Sequence, residues 1–489
     1  MIPSKAGKTK LYPIDMEFTA IIFCGQGKSL FPISSGVRST GIPKALIPIG
    51  NRPMIEYVLD WCQLGFFPHV IVVSNDDDYD GIKDAVDNYQ SARKNKKEGE
   101  ESVEEDKEEN VEDCMIEVVA INTDHSGPIL FELYKNWFNK FMENFVILPC
   151  DFMTNLPPQV LIEAYRNRDD NDLGLLIQYK NQLNIEDKKN KIFPKHYTIY
   201  SQDDVEDKLT LLDIYNQQDI EFHKSLQIRT QMCWRYPNSV ISTKLLNSSI
   251  FLGSTNIFDI FKENPNKFTQ SYFKSRSMTK IIRDLARRSW KHSSIKQTIG
   301  ILILPQQVEF LRCNNLSVLM EANRQLMKQQ AKVKAQQQQV KQASKTEAHV
   351  GVDSLVGDNC TLGEKTNVKT TVIGKNCTIG KRVKLTGCLI LNNVIIEDDV
   401  QLENCIIGND VIIHSKCKLI NCNVESTNEI LKGTLAKGDT LVCLTLEGLQ
   451  EGGTGVLESD ESEAESSEEY STDYDEEEYD DNDDGLFGY

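Results

Sequence analysis

The sequence predicts two folded units in series: an α/β domain on a mostly parallel sheet, then a triangular parallel β-solenoid. Three observations carry this. Apolar, β-branched runs alternate with helical patterns over residues 17–180. Apolar residues recur at steps of 6, 6 and 5 from Val356 to Val424, a 17-residue period. Polar stretches separate and follow the two units.

The runs "FTAIIFCG" and "HVIVVSN" read as buried strands. Between them "PMIEYVLDWCQLG" sets Met54, Val58 and Trp61 at helical spacing, with Pro53 at the start and Gly65 at the end. "MIEVVAIN" and "FVILPCD" supply two further strands, and "LPPQVLIEAYRNR" another helix. Apolar strands separated by helices indicate a Rossmann-type sheet covered on both faces. Residues 91–113 are charged with almost no apolar content and read as a disordered surface insertion. Further strands are expected at "HYTIYSQ", "KLTLLDI" and "SSIFLGS". "SRSMTKIIRDLARRSWK" is an amphipathic helix with Met278, Ile281, Ile282 and Leu285 inward. Its basic face, Arg276, Lys280, Arg283, Arg287 and Arg288, is expected to be solvated.

The solenoid marks are Val356, Leu362, Val368; Ile373, Ile379, Leu385; Ile390, Ile396, Leu402; Ile407, Ile413, Leu419; and Val424. Three marks per repeat mean three short flat faces, each donating one inward side chain per coil. Asn359, Asn376 and Asn393 share the period, as do Cys388, Cys405 and Cys422. A cysteine ladder of this kind reads as stacked small thiols, not a metal site. We place the first domain at 1–300, a connecting strand, helix and Gln/Lys-rich linker at 301–348, the solenoid at 349–445 and an acidic, disordered tail at 446–489.

Composition narrows the function classes. Of a formal net charge of −19, the sixteen Asp and Glu between Glu458 and Asp484 account for −16. The body is therefore near balance, with no basic excess to announce nucleic acid. No apolar run reaches the ~18–20 residues of a membrane span, and "MIPSKAGKTKLYPID" lacks the apolar core of a signal peptide. Thirteen cysteines without a C-x-x-C suit buried thiols in a reducing cytosol.

The chemistry-bearing stretch is "FCGQGKSLFPISSGVRSTGIPKALIPIG", residues 23–50. A G-x-G turn after the first strand lets backbone N–H groups approach phosphate. Lys44 could pair with that phosphate, and Asp151 ends a strand where α/β sheets hold ligands. A tight turn, a surface lysine and a capping aspartate explain the same residues about equally well.

"AIIFCGQGKSLFP…IPKALIPIGNRPMIEYVLDW" resembles the signature of the sugar-phosphate nucleotidyltransferases, G-G-x-G-T-R-L-x-P, then P-K, then N-x-P-[ML]. Many of those enzymes append a left-handed parallel β-helix of hexapeptide type, as the solenoid here resembles. The chain keeps Gly25, Gly27, Leu30, Pro32, Pro43, Lys44, Asn51, Pro53 and Asp151. It has Cys24 for the first glycine, Ser29 for the arginine, and a lengthened 33–42 segment. The second metal-binding acid of the family appears at Ser254. The resemblance therefore implies a pseudoenzyme with no catalytic residue, no metal ligand and no cofactor. Gly25, Gly27, Lys44 and Asp151 remain as vestigial nucleotide contacts, and residual nucleotide binding stays open.

Non-catalytic members with both domains are the gamma and epsilon subunits of eukaryotic translation initiation factor 2B, the guanine-nucleotide exchange factor for initiation factor 2. "FLRCNNLSVLMEANRQL", residues 310–326, resembles the gamma type, and the lack of a helical domain after the solenoid agrees. Implied partners are the epsilon subunit, the alpha, beta and delta subunits of a decameric complex, and initiation factor 2, including its phosphorylated form. No membrane or direct nucleic-acid contact is implied, and the location is cytosolic. The alternative is an active sugar-1-phosphate nucleotidyltransferase, such as a mannose-1-phosphate guanylyltransferase, or an accessory subunit of one. An active enzyme would need Lys28 or Arg38 to replace the arginine.

Overall fold

The computed structural model describes residues 17–443 except 66, 101–113, 124, 138–143, 184, 186–191, 194, 203–207, 227, 293–295 and 338–347. Ten strands form one sheet: β1 (Phe18–Phe23), β2 (His69–Ser74), β3 (Met115–Ala120), β4 (Asn144–Pro149), β5 (Asp172–Lys180), β6 (His196–Gln202), β7 (Leu209–Asn216), β8 (Ser239–Ser242), β9 (Leu245–Ser254) and β10 (Thr298–Ile303). Their spatial order is β8-β6-β7-β10-β5-β9-β4-β1-β2-β3. From β3 to β4 all neighbours are parallel. β9 lies antiparallel between β4 and β5, and β10 returns parallel to β5.

Six helices matter here: α1 (Met54–Leu64), α2 (Asp76–Glu100), α3 (Ser126–Trp137), α4 (Pro158–Arg166), α5 (Met278–Lys291) and α6 (Leu316–Gln337). Alternate strand residues feed two cores, because successive side chains leave a strand on opposite faces. Ile22, Val72 and Leu148 pack with Val58 and Trp61 of α1. Ile21, Ile71 and Ile147 pack on the other face with Leu130 of α3 and Ile281, Ile282 and Leu285 of α5.

Two expectations change. Residues 91–100, read as disordered, continue α2; Ala, Arg, Lys and Glu all favour helix and need no core to extend one. Residues 101–113 and the acidic tail lie outside the described residues. The basic face of α5 is not solvated: Arg283 is buried and none of the five basic residues is exposed. Arg287 pairs with Asp213 of β7 at 3.1 Å and Arg276 with Asp284 at 2.9 Å, while the Tyr272 hydroxyl donates to Asp284 at 2.7 Å. Burial would raise the Asp284 carboxyl, but Arg283 and Arg276 hold it below its ordinary range.

The solenoid strands pair in parallel at an offset of 17 residues, giving the ladders Val368–Leu385–Leu402–Leu419, Ile373–Ile390–Ile407–Val424 and Ile379–Ile396–Ile413–Ile430. Eleven of the thirteen marked positions are buried; Leu362 is half-buried and Val356 is 39% exposed, because both belong to the first coil, which has no coil before it. Asn359, Asn376 and Asn393 stand at corners with φ of 58°, 56° and 59°. Asparagine tolerates this left-handed region, and here each amide also donates to the next coil, at 3.2, 3.3 and 3.0 Å, the last to Asp410. Cys388, Cys405 and Cys422 stack as buried free thiols.

Ile390→Ala should cost about 2–5 kcal/mol in urea denaturation followed by circular dichroism, and Val356→Ala under about 1 kcal/mol; equal costs would contradict the assignment of the first coil. His414 Nε2 and Nδ1 bond to Glu429 at 2.7 Å and Glu397 at 2.9 Å, and these carboxylates raise the imidazole's pKa. A raised folded pKa contributes stability that is full below the ordinary histidine value and lost as pH rises through the folded one. Histidine NMR titration should accordingly place His414 above about 6.5, and a midpoint at or below that value would refute the two-carboxylate bridge.

Candidate functional site

The glycine loop follows β1 and faces the carboxyl ends of β1 and β4, where an α/β sheet presents its ligand crevice. Gly25, Gly27, Lys44 and Asp151 do meet there. Lys44 Nζ lies 2.8 Å from Asp151 Oδ2 and donates to Asn314 Oδ1 at 2.6 Å. Arg312 Nε reaches Asp151 Oδ1 at 3.2 Å, and its Nη1 donates to Ser249 Oγ at 2.6 Å. Asp151 is thus fully buried between two cations from its own chain. Burial would raise its carboxyl, but the charges of Arg312 and Lys44 and their hydrogen bonds overcome this and hold it well below the usual carboxylate range. Beneath lie the buried thiols Cys24, Cys150 and Cys313; burial and the Asp151 charge push Cys313 up, so it stays protonated at neutral pH.

The loop's other parts are similarly engaged. Gly27 has φ +74°, and a Cβ there would stand 2.9 Å from Cβ of Lys44, so glycine is needed for the lysine's own packing. A Cβ on Gly25 would meet open space. Ser29, at the family's arginine position, donates through Oγ to the Asn314 carbonyl at 2.7 Å. Arg38 Nη1 pairs with the buried Glu425 of the solenoid at 2.9 Å and donates to the Cys443 carbonyl at 3.0 Å. Thr40 Oγ1 also donates to Glu425, at 3.2 Å. The lengthened 33–42 segment therefore reaches across to the second domain. Below it, Leu30, Ile33, Ile47 and Ile49 share one apolar cluster with Leu319 and Ala322 of α6 and with Val372, Leu389 and Ile406 of the solenoid.

The cleft beside the triad has a volume of about 180 Å³ and is lined by Gly25, Lys44, Ser126, Asn247, Ser249 and Arg312 among others. Sites for drug-sized ligands run to roughly 300–1,000 Å³. The Mg²⁺ of nucleotidyl transfer does not fit these residues, because the one carboxylate is already neutralised. Among the described residues no group of three His, Cys, Asp or Glu side chains could hold a metal ion.

Ser254 is not the second acid position. β9 runs antiparallel to β4, so Ser254 pairs with Asn144 at the far end of the strand. Seven residues at ~3.3 Å each put it roughly 20 Å from Asp151. The part of β9 that reaches the site is Asn247 and Ser249, also without a carboxylate. The sequence gives no sign that Arg312 and Asn314, within the stretch 310–326, or Glu425 meet the glycine loop, since each lies far along the chain from its partner. Arg38, a candidate to replace the missing arginine, is committed to Glu425.

Two comparisons follow the same outline. A family model described as the EIF2B subunit epsilon LbH domain matches residues 332–434. The translation initiation factor eIF2B subunit gamma of Schizosaccharomyces pombe is 26% identical over 380 residues, covering 74% of this chain and 76% of that protein. The family match runs from the end of α6 through most of the left-handed β-helix, whereas the gamma alignment is too long for either domain by itself. No helix among the described residues is long and apolar enough to cross a membrane.

Replacing Asp151 by Asn leaves the buried Lys44 and the half-buried Arg312 without a counter-charge and should cost about 3–5 kcal/mol. With a depressed folded pKa, the aspartate's contribution is full above about pH 4 and lost as pH falls through the folded value. Chemical denaturation across that range should show an acid limb that Asp151→Asn flattens; a variant as stable as the parent at pH 7 would dismiss the triad as a structural element.

Proposed function

From the premise of an eIF2B-gamma-like chain, we propose that this protein is a non-catalytic regulatory and scaffold subunit of the guanine-nucleotide exchange factor for translation initiation factor 2. It pairs with the epsilon subunit and joins the alpha, beta and delta subunits in the cytosol. In that assembly it contributes to recognition of initiation factor 2, including the phosphorylated form. It takes no cofactor and contacts no nucleic acid directly.

The observation that carries the non-catalytic reading is the Lys44–Asp151–Arg312 triad. Nucleotidyl transfer rests on cations held free to meet phosphate charge, and on carboxylates free to hold the metal. Here the cations and the carboxylate satisfy each other. Ser29 presents no guanidinium, and Arg38 is turned to the solenoid. What the fold keeps is surface: sheet edges, helices and two solenoid faces that do not pack on the front domain among the described residues, which suit protein contacts.

Purified chain incubated with sugar nucleotide, Mg²⁺ and pyrophosphate should yield no triphosphate above a protein-free control. Turnover at the ~1–1,000 s⁻¹ of ordinary enzymes would refute the pseudoenzyme reading. Affinity purification of a tagged copy from its own cells should recover the other exchange-factor subunits and initiation factor 2. Sugar-nucleotide enzymes recovered in their place would refute the assignment to this complex.

A further inference from the structure

The three faces of the solenoid differ in charge. One packs on α6 and the front domain through Val372, Leu389 and Ile406. Another carries Thr361, Thr378, Ile395, Ile412 and Glu429 in its strands. The remaining face contains the strands Asn367–Lys369, Lys384–Thr386, Gln401–Glu403, Lys418–Ile420 and Leu435–Lys437. Counting the three residues at the corner before each strand, it holds nine basic against four acidic side chains. Three of the basic ones pair with neighbouring acids, Arg382 with Asp399, Lys384 with Glu403 and Lys381 with Glu364. The other six, Lys365, Lys369, Lys416, Lys418, Lys432 and Lys437, are exposed and make no ion pair among the described residues.

We propose that this lysine face seats the chain's own acidic segment, residues 458–484. Charge complementarity is the first argument: sixteen Asp and Glu in that segment, with no Lys or Arg, face the excess of lysines. Reach is the second. The chain leaves the solenoid at its last coil, beside Lys432 and Lys437, and fourteen residues separate Cys443 from Glu458. Extended, they span about 46–50 Å, against roughly 24 Å for six stacked coils at ~4.8 Å each. The contact is multivalent and tethered, so a local concentration of order millimolar offsets the weakness of each exposed pair. It shields the face, and a soluble polyanion or acidic partner must displace the segment to bind there.

Zero-length carbodiimide cross-linking of the full chain, read by mass spectrometry, tests this. At about 0.05 M salt, links from 458–484 to the six lysines should exceed links to the exposed Lys83, Lys94, Lys244 and Lys262 by about fivefold or more, and fall severalfold at about 0.5 M, where the Debye length shrinks to a few ångströms. Charge reversal at Lys416, Lys418, Lys432 and Lys437 should cut the links to Lys365 and Lys369 severalfold without shifting thermal unfolding. An even spread over all lysines would overturn the proposal. So would links that survive the charge reversal, or links that join differently isotope-labelled chains, which would mean that the segment reaches a second copy instead.

Discussion

A carboxylate removed from water must be neutralised, and Asp151 is neutralised twice, by Lys44 and Arg312. The two cations come from opposite parts of the sequence, one from the loop after β1 and the other from the strand Phe310–Arg312 that leads into α6. Their meeting on Asp151 joins the glycine loop, the end of β4 and the connection between domains into one unit. Asn314 strengthens it by accepting from Lys44 while its carbonyl takes the Ser29 hydroxyl. A site for nucleotide chemistry would need those cations unpaired until substrate arrives.

The second consequence concerns where the lengthened loop goes. Arg38 and Thr40 end on Glu425, whose burial between this loop and the solenoid makes its charge costly unless partnered. Between the triad and this pair runs the apolar cluster of Leu30, Ile33 and Ile47 with α6 and the solenoid face. The same stretch that faces the ligand crevice at one end thus docks the two domains at the other. Its architecture persists because packing requires it, as at Gly27, and not only because a ligand once did.

Local and periodic features were legible in the sequence because their causes are local. The 17-residue period reports stacking of identical coils, so the inward ladders and the asparagine corners follow from it directly. Strand and helix alternation placed β1 to β4 for the same reason. What stayed hidden depended on partners distant in the chain. Arg287 looks like part of a solvated face until β7 brings Asp213 against it. Ser254 looks like a site position until β9 proves antiparallel to β4. The loop itself was half legible: its glycines and Lys44 mark the crevice, but nothing in residues 23–50 says that Arg312 waits on the other side. Residues 91–100 show a related limit, since charge without hydrophobicity is equally compatible with a solvated helix.

The Arg38–Glu425 pair also acts as a ruler. Solenoids commonly gain or lose coils with little penalty, because each coil meets only its neighbours. Here the loop measures a fixed distance along the stack, from α6 to the coil that carries Glu425. Adding or removing one coil between them would move that carboxylate by about 4.8 Å, beyond the reach of a hydrogen bond. The number of coils between the α6 contact at Val372 and Glu425 is therefore held constant by the front domain.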